Sequence, residues 1–384
     1  MLLKLLFRNA FRHRLRTALT ICGICVAILA FGLLRTVVSA WYAGVDASSA
    51  TRLVTRNAIS LVFPLPLSYK EKIRGVEGVK IVSLGNWFGG IYKDEKNFFA
   101  NFAVDSKTYL DLYPEFIIPA DQKLSFFKER KGCVVGRKLA KRFGWKIGDT
   151  IVLRGTIFPG NWEFVLSAIY RGRDKTIDEN QFFFHWDYLN ETMKRIQPRR
   201  ADQVGFYMVG MVSPDIAADA TESIDKLFRN SFAETLTETE KAFQMGFISL
   251  SQTILTVIQL VSMVIIVIIM AVAANTMAMS VRERMGEYAV FKTLGFGGGY
   301  LAFLILGESM IITFLGCGMG ILFTYPAANA FARSVGEFFP VFNIAKETIY
   351  LDIAASVIIG VVAAVFPIWR AVSVPIASGL GRIG

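Results

Sequence analysis

Residues 242–281 read AFQMGFISLSQTILTVIQLVSMVIIVIIMAVAANTMAMSV, and no charged side chain occurs anywhere in that run. A helix of this length would reach about 60 Å, twice the ~30 Å hydrocarbon core of a bilayer. Part of it therefore fits a membrane span, and the surplus must tilt or project into water. In the outer half, Ser249, Gln252, Thr256 and Gln259 recur at steps of three and four, so they share one helix face. A polar stripe on a helix entering a membrane usually faces another helix rather than lipid. Packing within the chain and a subunit interface both fit, and these four residues are the candidate interface contacts.

Three more apolar blocks lie outward from this one. Ala18–Leu34 is uncharged and continues past Arg35 through Thr36–Ala40, with Trp41 and Tyr42 placed for the interface. Val-Ser-Ala before Trp41 resembles a signal cleavage site, but the apolar stretch and its basic leader are longer than a signal peptide needs. An uncleaved anchor is expected. Leu301–Phe323 and Ile353–Trp369 complete the set. Basic residues sit before the first block (Lys4, Arg8, Arg12, Arg14, Arg16), after the second (Arg282, Arg284, Lys292) and in the tail (Arg370, Arg382). The positive-inside rule then puts both termini and the second connection in the cytoplasm.

The expected fold class is a membrane protein: a four-helix transmembrane bundle with a large α+β extracytoplasmic domain between helices 1 and 2. Its segments are a cytoplasmic amphipathic helix at 1–16, spans at 17–40, 244–280 (with a stalk), 300–323 and 351–372, the external domain at 41–243, a cytoplasmic coupling helix at 281–296, a short external segment at 324–350 and a cytoplasmic tail at 373–384.

Composition agrees. Of 384 residues 53% are hydrophobic and only 19% charged, too few for an ordinary soluble chain. The net charge of +11 clusters beside apolar blocks, and no basic ribbon interleaved with aromatics suggests base stacking, so nucleic acid is not an expected partner. Within the external domain Leu67–Arg74 reads as a short helix before the strand-like Val79–Leu84. Gly132–Gly136 leads into Arg137–Ala140, a Gly148-Asp149 turn and the strand Thr150–Arg154. Val204–Val212 is strand-like, and Ser213-Pro214-Asp215 reads as a helix start before an apolar stripe of Ile216, Ile224, Leu227 and Phe228. That helix is expected to run towards the second span.

Chemistry is sparse. His13 and His185 have no ligand at metal spacing, and Cys22 and Cys25 form a CxxC inside an apolar block, where small packing residues are expected. His185, in the aromatic run Phe182–Trp186, reads as a packed histidine. Neither GxSxG, HExxH nor GxxxxGK[ST] occurs, so no catalysis, cofactor or metal is expected of this chain.

The most informative segment is Asn275-Thr276-Met277-Ala278-Met279-Ser280-Val281-Arg282-Glu283-Arg284-Met285-Gly286-Glu287-Tyr288-Ala289-Val290-Phe291-Lys292-Thr293-Leu294-Gly295-Phe296. As a helix it places Val281, Met285 and Tyr288 on one side and Val290 and Leu294 on the other, with Arg284 and Glu287 at pairing distance and Gly295 as the stop. Two apolar faces on a short cytoplasmic helix call for the bundle on one side and a partner on the other.

This segment resembles the FtsX-like/MacB-type family of ABC transporter permeases, at the join between the second span and the coupling helix. The likeness extends to Glu308, Gly316, Gly318 and Gly320, to Pro367-Ile368-Trp369-Arg370-Ala371 and, more loosely, to the external Val-Val-Gly-Arg-Lys-Leu-Ala segment. In place of the family's basic residues after the Leu-Gly turn stand Gly297, Gly298 and Gly299.

The resemblance implies a non-catalytic permease subunit of the bacterial inner membrane, working as a homodimer or paired permease. A separate cytoplasmic ABC ATPase would bind ATP-Mg and drive the external domain by mechanotransmission. The cargo would be a lipophilic or lipoprotein substrate, with a periplasmic adaptor and outer-membrane channel as further partners. Expected ATPase contacts are Arg282, Glu283, Arg284, Glu287 and Tyr288.

Glu308 lies inside an apolar block, where a carboxylate is costly and must face protein; a buried pair is favoured over a proton or substrate contact. Gly316 and Gly320 form a GxxxG suited to close helix approach. Lys4, Arg8, Arg12 and Arg16 recur every fourth position, which suggests an amphipathic helix on membrane lipids. The alternative to a permease is a membrane-anchored sensor or scaffold without transport.

Overall fold

The computed structural model describes residues 2–335 and 341–373. The expected tail beyond Ser373, with Arg382, and residues 336–340 of the expected 324–350 connection lie outside the described residues. The chain divides into two units, one holding residues 1–40, 251–334 and 342–384, the other holding 41–250 and 335–341.

Helix α1 spans Leu2–Ala10 and α2 spans Arg14–Ala47. A turn at residues 11–13 separates them, so the single helix expected over 1–16 is two pieces. The first long helix also runs past residue 40, because nothing from Trp41 to Val45 breaks it. It ends where Ser48 bonds back, its hydroxyl donating to the Gly44 carbonyl at 2.9 Å.

In the second unit short helices lie around a large mixed sheet, among them α3 (Tyr69–Arg74), α4 (Tyr109–Leu112), α5 (Ala120–Lys128), α6 (Arg137–Phe143), α7 (Trp186–Ile196) and α8 (Ala217–Phe228). From edge to edge the strands run Thr235–Thr239, Arg52–Asn57, Phe206–Met211, Val79–Trp87, Asn101–Val104, Phe182–His185, Gly132–Gly136, Gly160–Gly172, Thr150–Gly155 and Gly90–Ile91. Phe182–His185 runs parallel to Asn101–Val104, and Gly132–Gly136 parallel to Gly160–Gly172; the other pairs in this order are antiparallel.

Both faces of the sheet are covered. Phe182 and Phe184 pack into one core with Phe88 and Phe164, while Phe183, between them, packs into another with Tyr109 and Tyr170. His185 is buried against Phe126, ring to ring at 4.2 Å, and its Nε2 bonds the Phe126 carbonyl at 2.8 Å. Burial holds this imidazole below its ordinary pKa.

The helix start read at Ser213-Pro214-Asp215 needs correction. The Ser213 hydroxyl accepts the Asp215 amide in a local turn, and α8 begins at Ala217. After α8 the chain forms the edge strand Thr235–Thr239 before any further helix, so α8 does not lead straight into the second span.

A buried ion cluster joins distant parts of this unit. The Arg52 guanidinium meets Glu115 and Glu240 at 2.7 Å each and donates to the Leu112 carbonyl at 3.0 Å. Tyr113 donates to Glu240 at 3.1 Å and lies under the guanidinium at 4.3 Å. Burial alone would disfavour the charge on Arg52; Glu240, Tyr113 and Glu115 more than offset that and raise its pKa.

The second long helix expected over 242–281 is interrupted. α9 covers Glu240–Leu250 and α10 Gln252–Glu283, with Ser251 between them at φ −104°, ψ 7°. The Ser249 hydroxyl bonds back to the Gly246 carbonyl, and Gly246, Ser249 and Ser251 are weak helix formers. α11 spans Met285–Thr293, α12 Gly298–Val335 and α13 Lys346–Ser373. α2, α10, α12 and α13 are long and apolar enough to cross a membrane.

α10 packs along α13. α12 meets α2 through the GxxxG: a Cβ on Gly316 would stand 2.7 Å from the Ile24 Cβ, and one on Gly320 2.8 Å from the Ile28 Cβ. Gly318, between them, has nothing within 4 Å of its missing Cβ.

Two outcomes follow. Gly316→Ala and Gly320→Ala should each destabilise the detergent-solubilised chain by about 1–3 kcal/mol, because α2 must give way, while Gly318→Ala should be tolerated; thermal unfolding reads the difference. Arg52→Ala should cost about 3–5 kcal/mol by leaving two carboxylates buried without their partner, whereas Lys226→Ala, at an exposed pair, should leave the unfolding midpoint where it was.

Candidate functional site

The chain between α10 and α11 turns at Arg284, whose φ of −100° and ψ of 13° break the helix. Its side chain points inward. Nη1 donates to Glu308 Oε2 at 2.7 Å and Nε to Glu287 Oε2 at 3.1 Å, and the guanidinium lies 5.2 Å from the centre of the Tyr288 ring. Ser280 adds a hydroxyl to Glu308 Oε1 at 3.1 Å. Arg284 and Glu308 are each only 4% exposed, so this is a buried ion pair with both charges hydrogen-bonded. Arg284 and Ser280 thus answer both oxygens of Glu308.

The inner side of the corner is apolar. Val281, Met285, Tyr288 and Ala289 are buried, while Val290, Leu294 and Phe296 are exposed on the other side. α11 then stops at a left-handed Gly295, φ 89°. The Gly295 amide bonds the Lys292 carbonyl at 3.1 Å and the Phe296 amide the Phe291 carbonyl at 3.0 Å, which satisfies carbonyls the helix end leaves open. Lys292 Nζ reaches the Val372 carbonyl at 2.8 Å, tying α11 to the end of α13.

The N-terminal segment holds the corner from outside. Arg16 forks onto Glu283 at 3.1 and 2.5 Å, His13 Nε2 lies 3.1 Å from the same carboxylate, and Arg12 pairs with Glu287. Burial alone would raise the Glu287 carboxyl; hydrogen bonds from Arg12 and Arg284 outweigh it and hold the group below its ordinary pKa. A small cleft at this junction is lined by Asn9, His13, Arg16, Thr276, Ser280 and Glu308.

Of the residues expected to touch an ATPase, Arg282 is exposed, Glu283 and Glu287 are half-covered by the N-terminal segment, and Arg284 and Tyr288 are buried. The last two therefore position the corner rather than present a surface, because each finds its partners inside the bundle. Ser249, Gln252, Thr256 and Gln259 are all exposed, but Ser249 belongs to α9 and the other three to α10, with the Ser251 break between. The Ser249 and Thr256 hydroxyls are satisfied by carbonyls of their own helices.

Sequence reading missed the Arg12, His13 and Arg16 ties, since nothing local pairs them with Glu283 and Glu287. It also missed Asp352, fully buried in α13. A Cβ on Gly32 would stand 3.2 Å from Asp352 Oδ2, and Oδ1 meets no donor among the described residues. The available signal was a carboxylate one residue before the apolar run at Ile353. Cys25 is buried and Cys22 exposed, and among the described residues no group of three His, Cys, Asp or Glu side chains could hold a metal.

Residues 259–376 match the family described as FtsX-like permease C-terminal. This segment is similar to the C-terminal part of FtsX-like permeases. It takes in α11, α12 and α13 whole and most of α10, so both halves of the Arg284–Glu308 pair lie within it. No curated protein matches the chain. Among solved structures, the extracellular domain of the noncanonic ABC-type transporter YknZ from Gram-positive bacteria is 12% identical, with a TM-score of 0.36, covering 49% of this chain and all of that one. A domain of a permease protein from Porphyromonas gingivalis is 14% identical, with a TM-score of 0.33, covering 50% of this chain and 90% of that one.

In the FtsX-like segment, Arg284→Ala or Glu308→Ala should lower stability by about 3–5 kcal/mol, because each leaves a buried charge alone. Glu308→Gln, which keeps an acceptor for Arg284, should cost less, and the paired Arg284→Met/Glu308→Leu change should recover most of the loss. Unfolding of the purified chain in detergent checks this; equal losses in all four variants would remove the pair from the account.

Proposed function

We propose that this chain is the permease subunit of an ABC transporter in a bacterial inner membrane, with both termini and the α10–α11 corner in the cytoplasm. The observation that carries the reading is α11 itself. One apolar face is spent on the bundle, and the other, Val290 with Leu294 and Phe296 beyond it, lies open within a segment that matches FtsX-like permeases. A separate ATPase, binding ATP-Mg, docks on that open side, with Arg282 and the free edges of Glu283 and Glu287 at its rim. The corner is stiff because Arg284 and Lys292 fasten it to α12 and α13. A push on α11 therefore moves helices rather than bending a loop.

Two copies of the chain would form the working unit, with Gln252, Thr256 and Gln259 facing between them, where the two amides, which meet no side-chain partner among the described residues, find one. The domain at 41–250 lies outside the membrane and responds by mechanotransmission. It extracts or expels a lipophilic molecule or a lipoprotein, passing it to an adaptor and outer-membrane channel.

A sensor or scaffold without transport would keep the same domain but has no use for a second apolar face on α11. Val290→Asp with Leu294→Asp should abolish co-purification of a nucleotide-binding protein and reduce ATP hydrolysis in the assembled complex to the rate of the ATPase alone, while the permease keeps its unfolding temperature. Glu283→Lys with Glu287→Lys is the weaker test, because it also releases Arg12 and Arg16. Recovery of the wild-type chain with no nucleotide-binding partner would favour the scaffold.

A further inference from the structure

We propose that the exposed side of α1 and of the first turns of α2 is a docking surface for the headgroups of anionic phospholipids. The proposal does not rest on the transporter reading. Phe7 and Phe11, four residues apart at the end of α1, are 42% and 37% exposed, and Leu15 and Leu19, four apart on α2 beyond the turn at 11–13, are 77% and 64% exposed, an apolar row along the segment. The Phe7 and Phe11 rings lie parallel at 6.4 Å. The row is continuous with the outer surface of α2, one of the helices apolar enough to span a membrane. Aromatic side chains at that boundary suit the interfacial layer.

The neighbouring side of α1 is anchored. Leu6 and Ala10 are buried, a Cβ on Gly307 would stand 3.0 Å from the Leu6 side chain, and the Thr17 hydroxyl donates to the Ala10 carbonyl at 2.6 Å. The row therefore cannot turn inward.

Charge chooses the lipid. No acidic residue precedes Asp46. Arg12 and Arg16 are taken by Glu287 and Glu283, whereas Arg8 and Arg14, both exposed, meet no carboxylate among the described residues. Two free guanidiniums beside an apolar row embedded at the interface fit phosphate oxygens, and each basic residue near an anionic surface contributes roughly fivefold in affinity. The segment thus faces two ways, with Arg12 and Arg16 on the α10–α11 corner and Arg8 and Arg14 on the leaflet.

The test reconstitutes the full chain into phosphatidylcholine nanodiscs containing about 30% phosphatidylglycerol and measures motional restriction of spin-labelled phosphatidylglycerol against spin-labelled phosphatidylcholine. The expected result is a severalfold preference for the anionic lipid that weakens as salt is raised. Arg8→Gln/Arg14→Gln should bring the preference close to one, and Arg8→Lys/Arg14→Lys should retain most of it. A wild-type chain with no preference, or one indifferent to salt, overturns the proposal even if the neutral variant fails to fold. So does a folded Arg8→Gln/Arg14→Gln chain that keeps the preference, including one that has instead lost a bound protein.

Discussion

The guanidinium of Arg284 and the carboxylate of Glu308 meet at 2.7 Å inside the helical unit, and the arrangement around the corner depends on that contact. An arginine at a helix break would ordinarily turn to water. Here it turns inward because Glu308, placed by α12 among apolar neighbours, has no better partner, and because Ser280 and Glu287 complete the hydrogen bonding. Neither charge tolerates burial alone, so each specifies the position of the other. The break at Arg284 and the start of α11 follow from where the pair must sit.

The remaining contacts of the helical unit work by close approach. Gly316 and Gly320 let α12 press against Ile24 and Ile28 of α2, and Ser309 donates to the Gly360 carbonyl at 2.7 Å between α12 and α13. In a membrane such contacts matter more than apolar burial, because lipid tails solvate leucine as well as another helix does. The domain at 41–250 is organised differently. It buries aromatic side chains on both faces of its sheet and keeps an ion cluster, around Arg52, where strand, loop and α9 meet.

Much of this was legible. The apolar blocks, the glycine that stops α11, the packing role of the GxxxG and the two-faced character of α11 can all be read from residues a few positions apart. The aromatic run around His185 also marked it as a packing residue. Other readings failed for identifiable reasons. Ser213-Pro214-Asp215 has the letters of a helix start, but its hydroxyl is spent on a turn. The uncharged run over 242–281 conceals a break, because hydropathy is blind to the weak helix propensity of Gly246, Ser249 and Ser251.

The sequence by itself determined which segments are apolar enough to leave water, where helices stop and which polar groups would need partners, since these are properties of short windows. Only the tertiary structure decided who those partners are. Arg12 and Glu287 stand 275 positions apart, and no spacing rule connects them. Burial of Arg284 and exposure of Val290 likewise depend on what α12, α13 and the N-terminal segment bring alongside. Hydrogen bonds and ion pairs act over a few ångströms in space, so a pattern along the chain shows that a charge must be answered without showing from where.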